Sequence, residues 1–400
     1  MAFLASRLEL IRPSPTLAVA AKATEMKAKG LDVINLGVGE PDFDTPENIK
    51  LAAKKAIDQG FTKYTAVDGI KELKEAIVAK LRRENKLDYT LSQVMVSNGG
   101  KQALFNALVA TINPGDEVLI PAPYWVSYPD MVLLAGGVPV IIETTPENNF
   151  KLKAQSLSAA INDKTKWLIL NSPSNPTGSV YSEDELMELA QVIEGCPNLH
   201  VISDDIYEHL VFEGGKFFNI INVMPSLKDR CLIVNGVSKS YSMTGWRIGF
   251  AAGSKELISA MTKVQSQVTS NPCAISQKAA VEALNGDQSF LKENLLVFQR
   301  RKSLVLKLIN EISNLACSNI DGAFYAFISC QQLLGKKAPD GKLLNSDTDF
   351  ANYLLEEALV AVVPGEAFGQ KGFFRISFAL DDGAVAEACS RIKKACEKLH

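Results

Sequence analysis

The chain reads as an α/β protein with a large domain on a mostly parallel seven-stranded sheet flanked by helices, and a smaller α/β domain beside it. Three observations predict this. Short apolar runs alternate with amphipathic stretches from about Asp44 to Asp287, the pattern of repeated strand-helix units. At 400 residues the chain is long for one core. After Gly286 the character shifts to a long charged helical stretch and shorter segments. The expected division is 44–287 for the large domain, with 1–43 and 288–400 forming the small one.

The strand candidates, in order, are Val94 to Ser97, Glu117 to Ile120, Val138 to Ile142, Trp167 to Leu170, Val201 to Ser203, Cys231 to Val234 and Ile248 to Ala252. Between them, Gln102 to Ile112 reads as a helix ended by Pro114-Gly115, and Ser182 to Ile193 as another. Phe290 to Ile312 is the long charged helix. In Phe373 to Phe378 the residues Phe374, Ile376 and Phe378 alternate with Arg375 and Ser377, as in a half-buried strand. The last helix, from about Ala384 to Leu399, carries Val385, Ala388, Ile392 and Leu399 on one face. No internal repeat or low-complexity linker interrupts the pattern.

Composition narrows the function classes. A net charge of −3 with 22% charged residues suggests no polyanion-binding surface and suits an enzyme of small metabolites. The seven cysteines are scattered without a CxxC pair, against both a disulfide framework and a zinc site, so a reducing cytoplasm is the expected setting. Only three histidines occur, leaving little for histidine-based metal or triad chemistry. Arg7, Glu9 and Arg12 interrupt the N-terminal apolar stretch, so it reads as mature protein and not as a signal peptide. No apolar run approaches a membrane span.

The chemistry starts at Lys239, in the run Ser238-Lys239-Ser240-Tyr241-Ser242-Met243-Thr244-Gly245-Trp246-Arg247 directly after an apolar strand candidate. A second basic residue, Arg247, follows in a loop rich in hydroxyls and glycine, where an amine nucleophile and a phosphate clamp could share one pocket. That pairing points to pyridoxal phosphate. Asn175, Asp204 with Tyr207, and Lys239 each fall just beyond the carboxyl end of a strand candidate, where open parallel sheets bind ligands. Gly99 and Gly100 precede a helix start, where backbone N–H groups can approach a phosphate. Gly37-Val38-Gly39 lacks the third glycine of a dinucleotide loop.

These runs, with Gly39-Glu40-Pro41-Asp42-Phe43, Gly99-Gly100-Lys101-Gln102, Tyr124-Trp125, Asn171 to Gly178, Ser203 to Tyr207 and Gly372 to Arg375, resemble the class I aminotransferases of fold type I. The likeness is to the bacterial aspartate aminotransferase branch, over nearly the whole chain. The resemblance implies that Lys239 forms the Schiff base with the cofactor aldehyde and then, freed by substrate, shuttles the proton between Cα and C4′. It implies that Asp204 partners the pyridine nitrogen, that Tyr207 and Asn175 bond the cofactor's phenolic oxygen, and that Trp125 stacks on the ring. Consecutive residues of an extended chain point to opposite sides, which favours Asp204 over Asp205. The phosphate falls to Gly99, Gly100, Lys101 and Arg247, with Tyr64 reaching across from a neighbouring subunit of a homodimer and Ser238 among the other cofactor-binding residues. For the substrate, the resemblance assigns Arg375 to the α-carboxylate by a planar bidentate fork, with Gly39, Trp125 and Asn175 beside it. Arg12, in Ile11-Arg12-Pro13-Ser14-Pro15, is the candidate for a distal carboxylate and for activity on prephenate.

The activity this implies is transfer of an amino group from aspartate to 2-oxoglutarate. Its rivals are an aromatic aminotransferase, a pyridoxal-phosphate-dependent lyase of the same fold, and a regulator that keeps the fold as a sensing module.

Overall fold

A computed structural model describes residues 3–11 and 13–400. Its strands are β1 (Ile34–Asn35), β2 (Val94–Ser97), β3 (Glu117–Ala122), β4 (Val138–Glu143), β5 (Thr165–Asn171), β6 (His200–Asp204), β7 (Cys231–Gly236) and β8 (Gly249–Ala252). They continue with β9 (Ala316–Cys317), β10 (Tyr325–Ser329), β11 (Val360–Ala361), β12 (Val363–Pro364) and β13 (Phe373–Ser377).

The expected seven-stranded sheet is present, in the order β2-β8-β7-β6-β5-β3-β4. Strands β4, β3, β5, β6 and β7 run parallel, and β8 is antiparallel to both of its neighbours. Alternate residues feed two different cores. Leu168, Leu170, Val201 and Ile233 pack into one, whereas Trp167, Ile169, Ile202 and Leu232 pack into the other. Both faces are covered by helices, which is why these strands are apolar without interruption in the sequence. The helices Lys71–Lys80, Glu183–Glu194 and Ala274–Asn285 supply one face. Gly100–Thr111 and Lys255–Val268 supply the other.

Local signals set the helix ends. Glu183–Glu194 starts on a capping box: the Ser182 hydroxyl accepts from the Glu185 N–H at 3.2 Å, and the Glu185 carboxylate accepts from the Ser182 N–H at 2.8 Å. The helix Gly100–Thr111 begins two residues before the expected Gln102 because Gly99, at φ +83°, turns the chain directly into it.

A second sheet, β12-β13-β10-β9, is antiparallel throughout. Phe374 and Ile376 of β13 enter its core with Phe298 and Val305 of the long helix Ser289–Asn310. Arg375 lies between them and therefore projects from the opposite face. The N-terminal segment joins this region because β1 pairs with β11 in parallel, Ile34 against Val360.

The chain then crosses to the large sheet through residues 39–45, which are held on both sides. Arg301 grips Asp42 with two hydrogen bonds of 2.7 Å. The Thr45 hydroxyl donates to the Ser242 carbonyl at 2.6 Å, which ties the crossing to the lysine loop. No helix among the described residues is long and apolar enough to cross a membrane.

Behind the ends of β6 and β7 lies a buried ionic cluster. The Lys80 ammonium, 1% exposed, bonds the Glu208 carboxylate and donates to Asn85 Oδ1 at 2.7 Å. Asn235 and Asn85 also donate to Glu208, at 2.7 and 2.6 Å. Glu84, Glu208 and His209 bring their ligating atoms within 4.8 Å of one another, and the Lys80 ammonium stands among these groups, 3.5 Å from Glu84. Removing one member of a buried pair leaves the other uncompensated, at a cost of about 3–5 kcal/mol. Lys80→Met should therefore lower unfolding stability by that amount in urea denaturation. A loss below about 1 kcal/mol, the size expected of a surface pair, would contradict the cluster.

Candidate active site

A cleft of about 290 Å³ opens at the carboxyl ends of β5, β6 and β7 and is closed on its far side by Tyr325 and Arg375 of the second sheet. Such crevices are where parallel sheets present side chains to ligands, because successive strand ends and loops converge there. Asn175 follows β5, Asp204 ends β6, and Lys239 lies in the loop after β7.

The Lys239 ammonium donates to the Gly39 carbonyl at 2.5 Å, and no carboxylate among the described residues pairs with it. Burial strips its hydration and pulls its pKa down to about 8. Glu40 pushes the other way, while the Arg375 and Arg247 guanidinium groups add to the fall. A drop from 10.5 to about 8 disfavours the charged amine by roughly 3 kcal/mol. Neutral amine, the nucleophilic form, is thereby available near physiological pH.

Asp204 accepts a hydrogen bond of 2.7 Å from the Tyr128 hydroxyl. Burial pushes its pKa up to about 6, against the Tyr128 bond and the nearby Lys239 charge. Asp205 turns to the other side of the strand, where it accepts from Ser203 and Asn219, both at 2.6 Å. The Tyr207 hydroxyl meets the Tyr325 hydroxyl at 2.8 Å, and burial raises the Tyr207 pKa well above that of a free phenol. The Asn175 loop is fixed by its own N–H donating to Asn171 Oδ1 at 2.9 Å, and Asn171 in turn donates to the Asp204 carbonyl at 2.9 Å.

Arg375 is 2% exposed. It donates to Asn175 Oδ1 at 2.9 Å and to the Gly37 carbonyl at 2.6 Å, and its guanidinium lies 4.5 Å from the Tyr325 ring centre. Its Nε has no hydrogen-bond partner, and no carboxylate among the described residues forms an ion pair with it. A buried cation without a counter-ion is costly unless an anionic ligand completes it.

At the other end of the cleft, Gly99, the N-cap of the helix Gly100–Thr111, packs against the Arg247 guanidinium. A Cβ on Gly99 would fall 2.3 Å from Arg247 Nη2, and one on Gly249 would fall 2.3 Å from the Gly100 nitrogen. Glycine at both positions lets these backbones and the guanidinium close on one corner, an arrangement that suits an anion at a helix N-terminus. Arg247 is held there by donating to the Thr244 and Asn98 carbonyls at 3.0 and 3.2 Å. Ser238 lines the same cleft, and Lys101 places its ammonium 4.8 Å over the Trp125 ring. Burial and the Arg247 charge together lower the Lys101 pKa.

The structure thus gathers Gly39, Gly100, Lys101, Trp125, Asn175, Asp204, Tyr207, Ser238, Lys239, Arg247 and Arg375 around one cleft, with Gly99 against Arg247. Tyr64 is 92% exposed and does not reach it. Arg12 lies outside the described residues. Ser14, Thr16, Tyr128 and Tyr325 are among the lining residues that sequence reasoning did not single out. Tyr128 opens the helix Tyr128–Leu134 and is joined to Trp125 by a turn in which its N–H donates to the Trp125 carbonyl at 3.0 Å, a closeness the sequence does not announce. Tyr325 alternates with Phe327 on one strand and reads from sequence as an ordinary core aromatic.

Residues 31–392 match the model of the family described as aminotransferase class I and II, and the chain belongs to that family. An aspartate/prephenate aminotransferase of Cereibacter sphaeroides is 57% identical over 399 residues, covering all of both chains. An aspartate aminotransferase of Rhizobium meliloti is 52% identical over 99% of this chain and 96% of its own. Among solved structures, the aspartate aminotransferase from Rhizobium meliloti superposes with a TM-score of 0.97 at 52% identity, covering 100% of each chain. That from Thermus thermophilus with maleate gives 0.92 at 42% identity, over 99% of this chain and 100% of that one.

The lowered Lys239 pKa has a direct consequence. Modification of Lys239 by an amine-directed reagent, followed by peptide mapping of the cofactor-free protein, should accelerate with pH and level off above a midpoint near 8. A midpoint near the ordinary 10.5 would show a solvated amine.

Proposed function

We propose that this chain is a pyridoxal-phosphate-dependent aspartate aminotransferase, converting L-aspartate and 2-oxoglutarate to oxaloacetate and L-glutamate, with prephenate as a second amino acceptor. The observation that carries the reading is the coexistence, in one cleft, of a half-buried amine with a lowered pKa, Lys239, and a buried guanidinium with no ion-pair partner among the described residues, Arg375. Pyridoxal phosphate, when bound, supplies an aldehyde for amines and a ring that draws off the electron pair left when a Cα–H bond breaks.

The residues fit that group. The glycine-lined corner with Arg247 and Ser238 suits a phosphate. Trp125 offers an aromatic face, and Lys239 an amine that is half neutral near pH 8. Asp204 is anionic above about pH 6 and can hold a proton on a ring nitrogen by a charge-assisted bond, with Tyr128 fixing its orientation. Tyr207 and Asn175, which line the same cleft, are the groups we assign to a ring oxygen.

Arg375 receives the α-carboxylate of the amino acid through its free donor and planar fork, while Asn175 keeps the guanidinium in plane. That orients the Cα–H bond toward Lys239, whose amine accepts the proton and returns it as the general acid. Burial of Arg375 and Asp204 strengthens these interactions.

Arg12 is the group we assign to the distal carboxylate, because it shortly precedes Ser14 and Thr16, which line the cleft. The exposed Tyr64 supports a homodimer in which its ring completes the partner's phosphate site. The seven free cysteines support a cytoplasmic enzyme. We take 44–287 as the cofactor-binding domain, and 1–43 with 288–400 as the small domain.

Stoichiometric holoenzyme mixed with aspartate alone should release one oxaloacetate per site and retain the amino group, which then appears as glutamate when 2-oxoglutarate is added. Release of ammonia, pyruvate or carbon dioxide instead would mark a lyase. Arg12→Ala should raise KM for aspartate about tenfold relative to aromatic donors, the worth of one charged hydrogen bond. Unchanged discrimination would remove Arg12 from the site.

A further inference from the structure

We infer that Tyr325 is a positioning residue that couples the two working ends of the cleft: its hydroxyl fixes the direction in which Tyr207 donates, and its ring face seats Arg375. The inference rests on the pyridoxal phosphate reading above and assigns a task to a side chain that reading does not use.

Tyr325 begins β10 opposite Ser377 of β13, and Arg375 pairs with Phe327 two residues along. Tyr325 and Arg375 are therefore diagonal neighbours on one face of the sheet, within reach of each other. The guanidinium lies 4.5 Å from the Tyr325 ring centre, and the hydroxyl lies 2.8 Å from that of Tyr207. Tyr325 itself is 1% exposed and lines the cleft. A Cβ on Gly39 would stand 2.4 Å from the Tyr325 hydroxyl, so this hydroxyl also abuts the backbone that holds Lys239 through the Gly39 carbonyl. One side chain thus touches the phenol, the guanidinium and the segment that anchors the amine.

Proton counting sets the direction of the pair. Each phenol carries one proton, and Tyr207 is the only hydrogen-bond partner of the Tyr325 hydroxyl among the described residues. When Tyr207 directs its O–H as a hydrogen-bond donor to the ring oxygen of a bound cofactor, it has no hydrogen to donate to Tyr325, so Tyr325 donates to Tyr207. Two bonds running the same way polarise each other, and Tyr207 becomes a stronger donor than it would be alone. A stronger donor favours negative charge on the ring oxygen and so favours the deprotonated form of the bound chromophore. The ring of Tyr325 acts separately, as a cation–π seat for Arg375.

The test compares holoenzymes of the unaltered chain, Tyr325→Phe, Tyr325→Leu and Tyr207→Phe. The pH midpoint of the visible absorbance should rise in Tyr325→Phe, in the same direction as in Tyr207→Phe but by less. Its kcat should fall roughly three- to tenfold, the loss of one hydrogen bond, with KM for the amino acid unchanged because the ring remains. Tyr325→Leu should in addition raise that KM several-fold, with thermal melting of the cofactor-free forms recorded to expose any loss of folding. An unmoved absorbance midpoint in Tyr325→Phe, or a raised KM with kcat intact, would overturn the inference. Absence of a visible band in the unaltered chain would instead overturn the cofactor assignment beneath it.

Discussion

The site depends on one electrostatic condition: Lys239, Arg247 and Arg375 all border one cleft, and none of them has an ion-pair partner among the described residues. Burial lowers the Lys239 pKa most, and the two nearby guanidinium groups add to the fall. Among the described residues Asp204 is the one carboxylate lining the cleft, and burial makes it a weaker acid than usual. The balance leaves the cleft short of negative charge at both ends, which is what a phosphate at one end and a carboxylate at the other would supply.

That condition costs stability and is sustained by structure elsewhere. The parallel core fixes the ends of β5, β6 and β7 side by side, so Asn175, Asp204 and Lys239 need no long reach. The Lys80 cluster ties Glu208, just after Tyr207, to Asn235 at the end of β7. The crossing segment 39–45 carries the Gly39 carbonyl to Lys239 while Asp42 is clamped by Arg301. Packing and buried polar contacts thus hold groups that would otherwise repel one another or seek water.

Much of this was legible in the sequence, for identifiable reasons. Runs such as Val94 to Ser97 and Cys231 to Val234 read as strands because a sheet covered on both faces demands uninterrupted apolar residues. Lys239 and Arg247 stood out because glycine and hydroxyl residues surround them. The antiparallel course of β8 was not legible, since direction depends on which neighbour a strand meets. The two-residue strands β1 and β11 were equally hidden, because their pairing joins Ile34 to Val360 and neither carries a local pattern. Lys80 resembles any lysine near a helix end until Glu208 is brought against it from distant sequence. Tyr128 and Tyr325 look like core aromatics because they are buried; only the fold shows what their hydroxyls touch.

The most direct test of the lysine at the centre of this arrangement is borohydride reduction of the holoenzyme followed by peptide mapping. A stable label on the peptide bearing Lys239, at one per chain, is the predicted result. A label on another lysine, or none in protein that binds the cofactor stoichiometrically, would contradict it.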